Sequence, residues 1–147
     1  MNRTQRIKRI CQLQRLCENG AVASMKNARQ KLSGARQLHA ELEKHHNDYW
    51  VRLLEKEQKG LNSLLWRGQR QFIRALENAI QQQTAQVKMD HREFDLSETE
   101  WRQKHAETLA SEAFLQRVLQ RELRREEKRE SSAIDDLVAS RHGGGSR

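Results

Sequence analysis

Apolar positions along this chain advance in alternating steps of four and three. In the first part the series is Ala21, Met25, Ala28, Leu32, Ala35, His39, Leu42, His46, Tyr49 and Leu53. In the second part Ile73, Ile80, Val87, Phe94, Trp101, Thr108 and Leu115 recur every seven residues, with Leu76, Gln83, Asp90, Ser97, Lys104 and Ser111 between them. Such a sustained repeat predicts helices that pack along one narrow seam and supercoil left-handedly. Lys59-Gly60-Leu61-Asn62-Ser63 separates the two series. Gly60 can end a helix in the left-handed conformation, and Asn62 or Ser63 can cap the next one. The spacing therefore predicts helices over residues 3–58 and 65–140, a turn at 59–64, and a flexible tail at 142–147. Residues 1–141 form one coiled-coil domain in this reading. Asn19-Gly20 is expected as a local weakness or stutter, because glycine within a helix costs about 1 kcal/mol against alanine.

The two stripes fit each other. In an antiparallel hairpin, facing residues have position numbers with a constant sum, and a turn near residue 61 sets it at roughly 122. Ala35 then faces Val87, Ala28 faces Phe94 and Ala21 faces Trp101, so small residues meet large ones and fill the seam without voids. Leu42 faces Ile80, Tyr49 faces Ile73, Ile7 faces Leu115, and Cys17 falls opposite His105. Met25 with Ser97, Leu32 with Asp90 and His39 with Gln83 make mixed layers, which cost stability but fix register. Residues from about 122 onward have no intrachain partner under this rule. Arg121 to Glu130 supports itself there by i,i+4 ion pairs, and Ile134, Leu137 and Val138 form a small apolar patch beyond it.

Composition narrows the class. Charged residues make up 33% of the chain, classical hydrophobics 35%, and proline is absent. That cannot wrap a thick globular core but can supply one apolar stripe per helix. Low hydrophobicity with high charge also suits disorder, against which the regular periodicity argues. The net charge is +8, and Arg3, Arg6, Lys8, Arg9 and Arg15 all precede the first acid, Glu18. Cys11 and Cys17 are about 9 Å apart on a helix, too far for a disulfide, so both read as reduced thiols. No apolar run reaches the roughly 18 residues that a membrane span needs, and the basic start leads into no secretory core segment. No phosphate loop or CxxC occurs, and the histidines are scattered, so no catalytic, cofactor or metal site is expected.

The aromatics are more telling. Tyr49, Trp50, Trp66 and Phe72 gather around the turn with Leu53, Leu54, Leu61, Leu64 and Leu65. A two-stranded coil cannot bury them all: part can cap the turn, and the rest is expected as an exposed apolar patch, a usual mark of a protein-binding surface. Here Gly60-Leu61-Asn62-Ser63, Trp66, Gln71-Phe72-Ile73, Leu76-Glu77 and Ala79-Ile80 resemble the hairpin region of the FliJ family, the stalk subunit of the flagellar export ATPase. The charged end with Ile134-Asp135-Asp136-Leu137 agrees with that family more loosely.

The resemblance implies an all-α antiparallel two-helix coiled-coil hairpin, similar to the γ-subunit stalk of F-type ATPases. It implies a non-enzymatic protein with three kinds of partner: the hexameric export ATPase, the cytoplasmic domain of the export gate, and export chaperones. It also implies a monomer in the bacterial cytoplasm, peripheral to the cell membrane through its partners. Carried over by position, the gate-docking face falls on Leu38, Leu42, His45 and Tyr49 and on Phe72, Leu76, Ala79 and Gln83. The ATPase contact would use Ile7, Ile10, Leu13 and Leu16 with Leu115, Leu119, Leu123, Ile134 and Leu137. Three alternatives compete: the equivalent stalk of a virulence secretion system, a basic nucleic-acid-binding coiled coil, and a scaffold dimer. Beyond residue 40, Glu and Asp interleave with the basic residues, which argues against a face that tracks phosphates.

Overall fold

A computed structural model describes residues 1–60 and 62–143. It consists of two long helices packed against each other, α1 (Arg3–Gln58) and α2 (Ser63–Gly143), with no strand among the described residues. This is the all-α hairpin that the periodicity predicts. Leu61, one of the turn leucines, and Gly144, Gly145, Ser146 and Arg147 of the expected tail lie outside the described residues. His142 and Gly143, expected in that tail, are instead the last residues of α2.

Capping explains where the helices begin. Asn2 and Gln5 form a reciprocal box: the Gln5 amide N–H donates to Asn2 Oδ1 at 2.8 Å, and the Asn2 N–H donates to Gln5 Oε1 at 3.2 Å. This satisfies two of the N–H groups that a helix start leaves unpaired. At α2, the Leu64 N–H donates to Asn62 Oδ1 at 3.3 Å and the Trp66 N–H to the Asn62 carbonyl at 3.0 Å, so Asn62 is the cap. Gly60 takes φ +85° and reverses the chain, a conformation that L side chains adopt only with strain.

The chain divides into two compact units. The hairpin unit, Gly20–Arg102, carries the turn and the paired helix segments that flank it. Ala21, Ala28, Leu32, Ala35, Leu53 and Ile73 are buried there, with half-buried Met25, Val87, Phe94 and Trp101 interleaved. Contacts across this unit keep the expected register: Tyr49 with Phe72, His46 with Glu77, His39 with Thr84, Lys31 with Asp90, and Arg29 with Phe94. In the terminal unit, Met1–Asn19 with Gln103–Arg147, the buried positions are Thr4, Cys11, Thr108 and Val118. Thr4 donates to Glu122 across the two helices. From Arg121 to Gly143 α2 continues with every residue exposed.

Two expectations are corrected. Asn19-Gly20 is no stutter: α1 runs through it unbroken, and Thr4, Ile7, Cys11, Gln14, Glu18 and Ala21 keep the three-four spacing of less exposed positions. A glycine on the solvent side of a packed helix costs propensity without touching the seam. The His39 layer also differs in detail. His39 Nε2 lies 3.0 Å from Thr84 Oγ1, while Gln83 Nε2 donates to the Ala35 carbonyl at 3.0 Å. The longer glutamine reaches past its facing residue to a main-chain acceptor.

Two substitutions test this packing. Ala28→Phe forces a second large ring into the layer of Phe94 and should lower the unfolding free energy by about 1–3 kcal/mol, read by thermal or urea melts followed by circular dichroism. Gly60→Ala meets no atom within 4 Å, so its expected loss of about 1 kcal/mol comes from backbone strain alone. Unchanged melts would contradict the pairing and the left-handed turn respectively.

Candidate functional site

In the hairpin unit the expected gate-facing residues step along one flank of the seam. On α1 these are Leu38, Leu42, His45 and Tyr49, and on α2 Phe72, Leu76, Ala79 and Gln83. Tyr49 and Phe72 meet as tilted rings with centroids 4.6 Å apart. Phe72 nevertheless keeps 46% of its surface exposed and Tyr49 keeps 37%. Leu38 and His45 are exposed, while Leu42, Leu76 and Ala79 are half-buried. Gln83 is half-buried, with its amide committed to the Ala35 carbonyl. Two aromatic rings therefore form a ledge whose outer faces remain available, bordered by leucines that also fill the seam. Leu53, grouped with the turn cluster by sequence, is instead 1% exposed, whereas Leu54, Leu64 and Leu65 are exposed.

In the terminal unit the expected ATPase-facing residues divide the same way. Ile10, Leu13, Leu16, Leu123, Ile134 and Leu137 are exposed, and Ile7, Leu115 and Leu119 are half-buried. Isolated exposed leucines are ordinary. Ile10, Leu13 and Leu16 are more than that, because all three lie off the seam within two turns of helix.

Histidines and acids bind the two helices together. His46 Nε2 lies 3.1 Å from Glu77, and His105 Nδ1 lies 2.5 Å from Glu18. Sequence spacing put Cys17 opposite His105. The structure puts Glu18 there and leaves Cys17 exposed, with Cys11 buried. Extending the four-three series upstream of Ala21 would have found Glu18, Cys11 and Thr4, but their polarity masked them. The His105 hydrogen bond holds the Glu18 carboxyl below its usual range, against a smaller opposing effect of desolvation; Thr108 and the charges of His105 and Arg15 assist. A hydrogen bond to Glu93, with the charges of Glu93 and the buried Asp90, holds the Lys31 ammonium above its usual range. Asp90 also accepts from Gln86 Nε2 at 3.0 Å. Among the described residues no group of three His, Cys, Asp or Glu side chains could hold a metal ion, and no helix is long and apolar enough to cross a membrane.

The profile of the family described as Flagellar FliJ protein matches residues 3–147, nearly the whole chain. The chain belongs to the FliJ family. No curated protein and no solved structure matches it. FliJ membership makes it a component of flagellar protein export and accounts for the hairpin residues from Gly60 to Ile80 that resemble that family.

The Glu18–His105 contact gives this FliJ-family chain a testable pH dependence. Because the folded-state carboxyl is more acidic than the unfolded one, its stabilisation is present above the ordinary Glu value of 4.5. It is lost as pH falls through the lower folded value. Glu18→Gln should therefore melt earlier than the parent at pH 6, and the gap should shrink as pH drops below 4.5. A gap that stays constant across that range would show that the carboxylate charge is not involved.

Proposed function

We propose that the chain is a non-enzymatic stalk and adaptor of the flagellar export apparatus. In this reading the terminal unit engages the hexameric export ATPase and promotes assembly of its ring. The hairpin unit engages the cytoplasmic domain of the membrane export gate, and the chain also receives export chaperones once they have released their cargo. The observation that carries the reading is the Tyr49–Phe72 ledge. It is an aromatic pair on the flank that the family resemblance assigns to the gate, packed at its inner edge and open at its outer one. Large aromatics held rigid by a seam are the kind of anchor on which protein interfaces concentrate their binding energy. The exposed Ile10, Leu13 and Leu16 and the uncovered end of α2 supply a separate apolar set for the ring. The mechanism is mechanical and allosteric, since binding energy at each surface can only bias the partner that contacts it.

Two variants separate the surfaces. Tyr49→Ala with Phe72→Ala should weaken pull-down of the gate domain about tenfold or more, the effect of losing 1.4 kcal/mol, and reduce motility. Stimulation of the cognate ATPase by the purified protein should survive. Ile10→Asp with Leu13→Asp should do the reverse. A chain that neither stimulates the ATPase nor binds the gate domain would overturn the reading.

A further inference from the structure

A second flank of the hairpin unit carries a surface that the Tyr49–Phe72 side does not share. A groove lies between Glu43, His46 and Asn47 on α1 and Glu77, Ile80 and Gln81 on α2, which places these residues on one side of the seam. From that groove toward the turn, α1 continues Asn47, Trp50, Leu54 in steps of three and four. On α2, Gln81, Glu77, Arg74, Arg70 and Arg67 continue in steps of four and three. Both runs keep to the same flank, because residues three and four apart on a helix share a face. Trp50 and Leu54 are 37% and 44% exposed. The guanidinium of Arg70 lies 4.7 Å from the Trp66 ring. A depression of about 170 Å³ is lined by Trp66, Arg67, Arg70, Gln71 and Arg74.

Charge makes this surface distinctive. No Asp or Glu occurs from Gln58 to Leu76. None of Arg67, Arg70 and Arg74 has an ion-pair partner among the described residues, and Glu57, the next position on the α1 stripe, forms none with them. Like charges three and four apart on one helix repel. A stacked guanidinium is also held flat and presents its donors as a fork that matches a carboxylate. Two tryptophans and three arginines on one flank are a composition enriched in interface hot spots.

We propose that this flank, formed by Trp50, Leu54, Trp66, Arg67, Arg70 and Arg74, is a docking surface for a short acidic segment of a partner protein. The segment's carboxylates pair with the arginines, and an apolar side chain lies against the tryptophans. Two features of the hairpin unit favour a polypeptide. Phe72 sits with Tyr49 on the other flank, so a flat bilayer could not meet the arginines and that apolar ledge together. Glu43 and Glu77 close the far end of the stripe, where an extended phosphate backbone would be repelled.

The test uses the full-length protein and isothermal titration with three probes: a synthetic Glu/Leu helical peptide, vesicles of phosphatidylglycerol, and single-stranded RNA. The peptide is expected to bind with an affinity that falls as salt rises. Arg70→Glu with Arg74→Glu should weaken it at least tenfold, with an unchanged circular dichroism melt. Lys88→Glu with Arg92→Glu, which changes the net charge equally elsewhere on α2, should weaken it less than threefold. Trp66→Phe, which keeps a ring under Arg70, should retain most of the binding. Absence of peptide binding, equal losses in the two charge-reversal pairs, or binding confined to vesicles or RNA would overturn the proposal.

Discussion

Everything in this molecule depends on one seam in which small side chains on α1 meet large ones on α2. Alanine at positions 21, 28 and 35 lets the helix axes approach closely enough for Trp101, Phe94 and Val87 to be covered. The seam is only one stripe wide, so most of the described residues off it face solvent. That economy leaves the flanks free to carry other chemistry. It also explains why polar groups occur within the seam: Asp90 is 3% exposed and Thr108 is 2%. Each is given a partner, Asp90 by Gln86 and Lys31, Thr108 by the Lys104 carbonyl. Buried polar groups left without partners would be costly, whereas satisfied ones penalise a slipped register.

Much of the fold was legible because its periodicity is simple. The turn, the antiparallel pairing and the facing residues of the hairpin unit follow from a seven-residue repeat and one glycine. What stayed hidden was local chemistry. The Asn2–Gln5 box reads in sequence as two ordinary polar residues, although it satisfies the start of α1. Glu18 gives no sequence signal of its place between the helices, because burial is inferred from apolar character and a carboxylate bonded to histidine has none. Asn19-Gly20 reads in sequence as a local weakness or stutter because glycine propensity carries no information on whether a position faces solvent.

The candidate surfaces were legible to a lesser degree, for a physical reason. Periodicity says which residues face the seam, and a family motif says which residues recur together. Neither says how far a flanking residue is covered. Tyr49 and Phe72 are partly packed and partly open, a state that only coordinates distinguish from full burial. Gln83 shows the converse: a residue assigned to a docking face spends its amide on Ala35 across the seam. The arginine flank is masked in sequence because the visible cluster of basic residues lies at the N-terminus. Arg67, Arg70 and Arg74 cluster only after winding onto a helix.

The position of the turn also governs how the chain can assemble. Contacts in the hairpin unit join residues close in sequence, such as His46 with Glu77, 31 apart, whereas Thr4 and Glu122 in the terminal unit are 118 apart. Closing the longer loop first would cost roughly two doublings of length, at about 0.6 kcal/mol each. Each layer formed beside Gly60 shortens the slack that the next must close. The order of events written into this connectivity is that of a zipper, starting at the left-handed glycine and running toward the termini. Fraying would retrace it, so the N-terminal turns of α1 are the first to let go and the last to be secured.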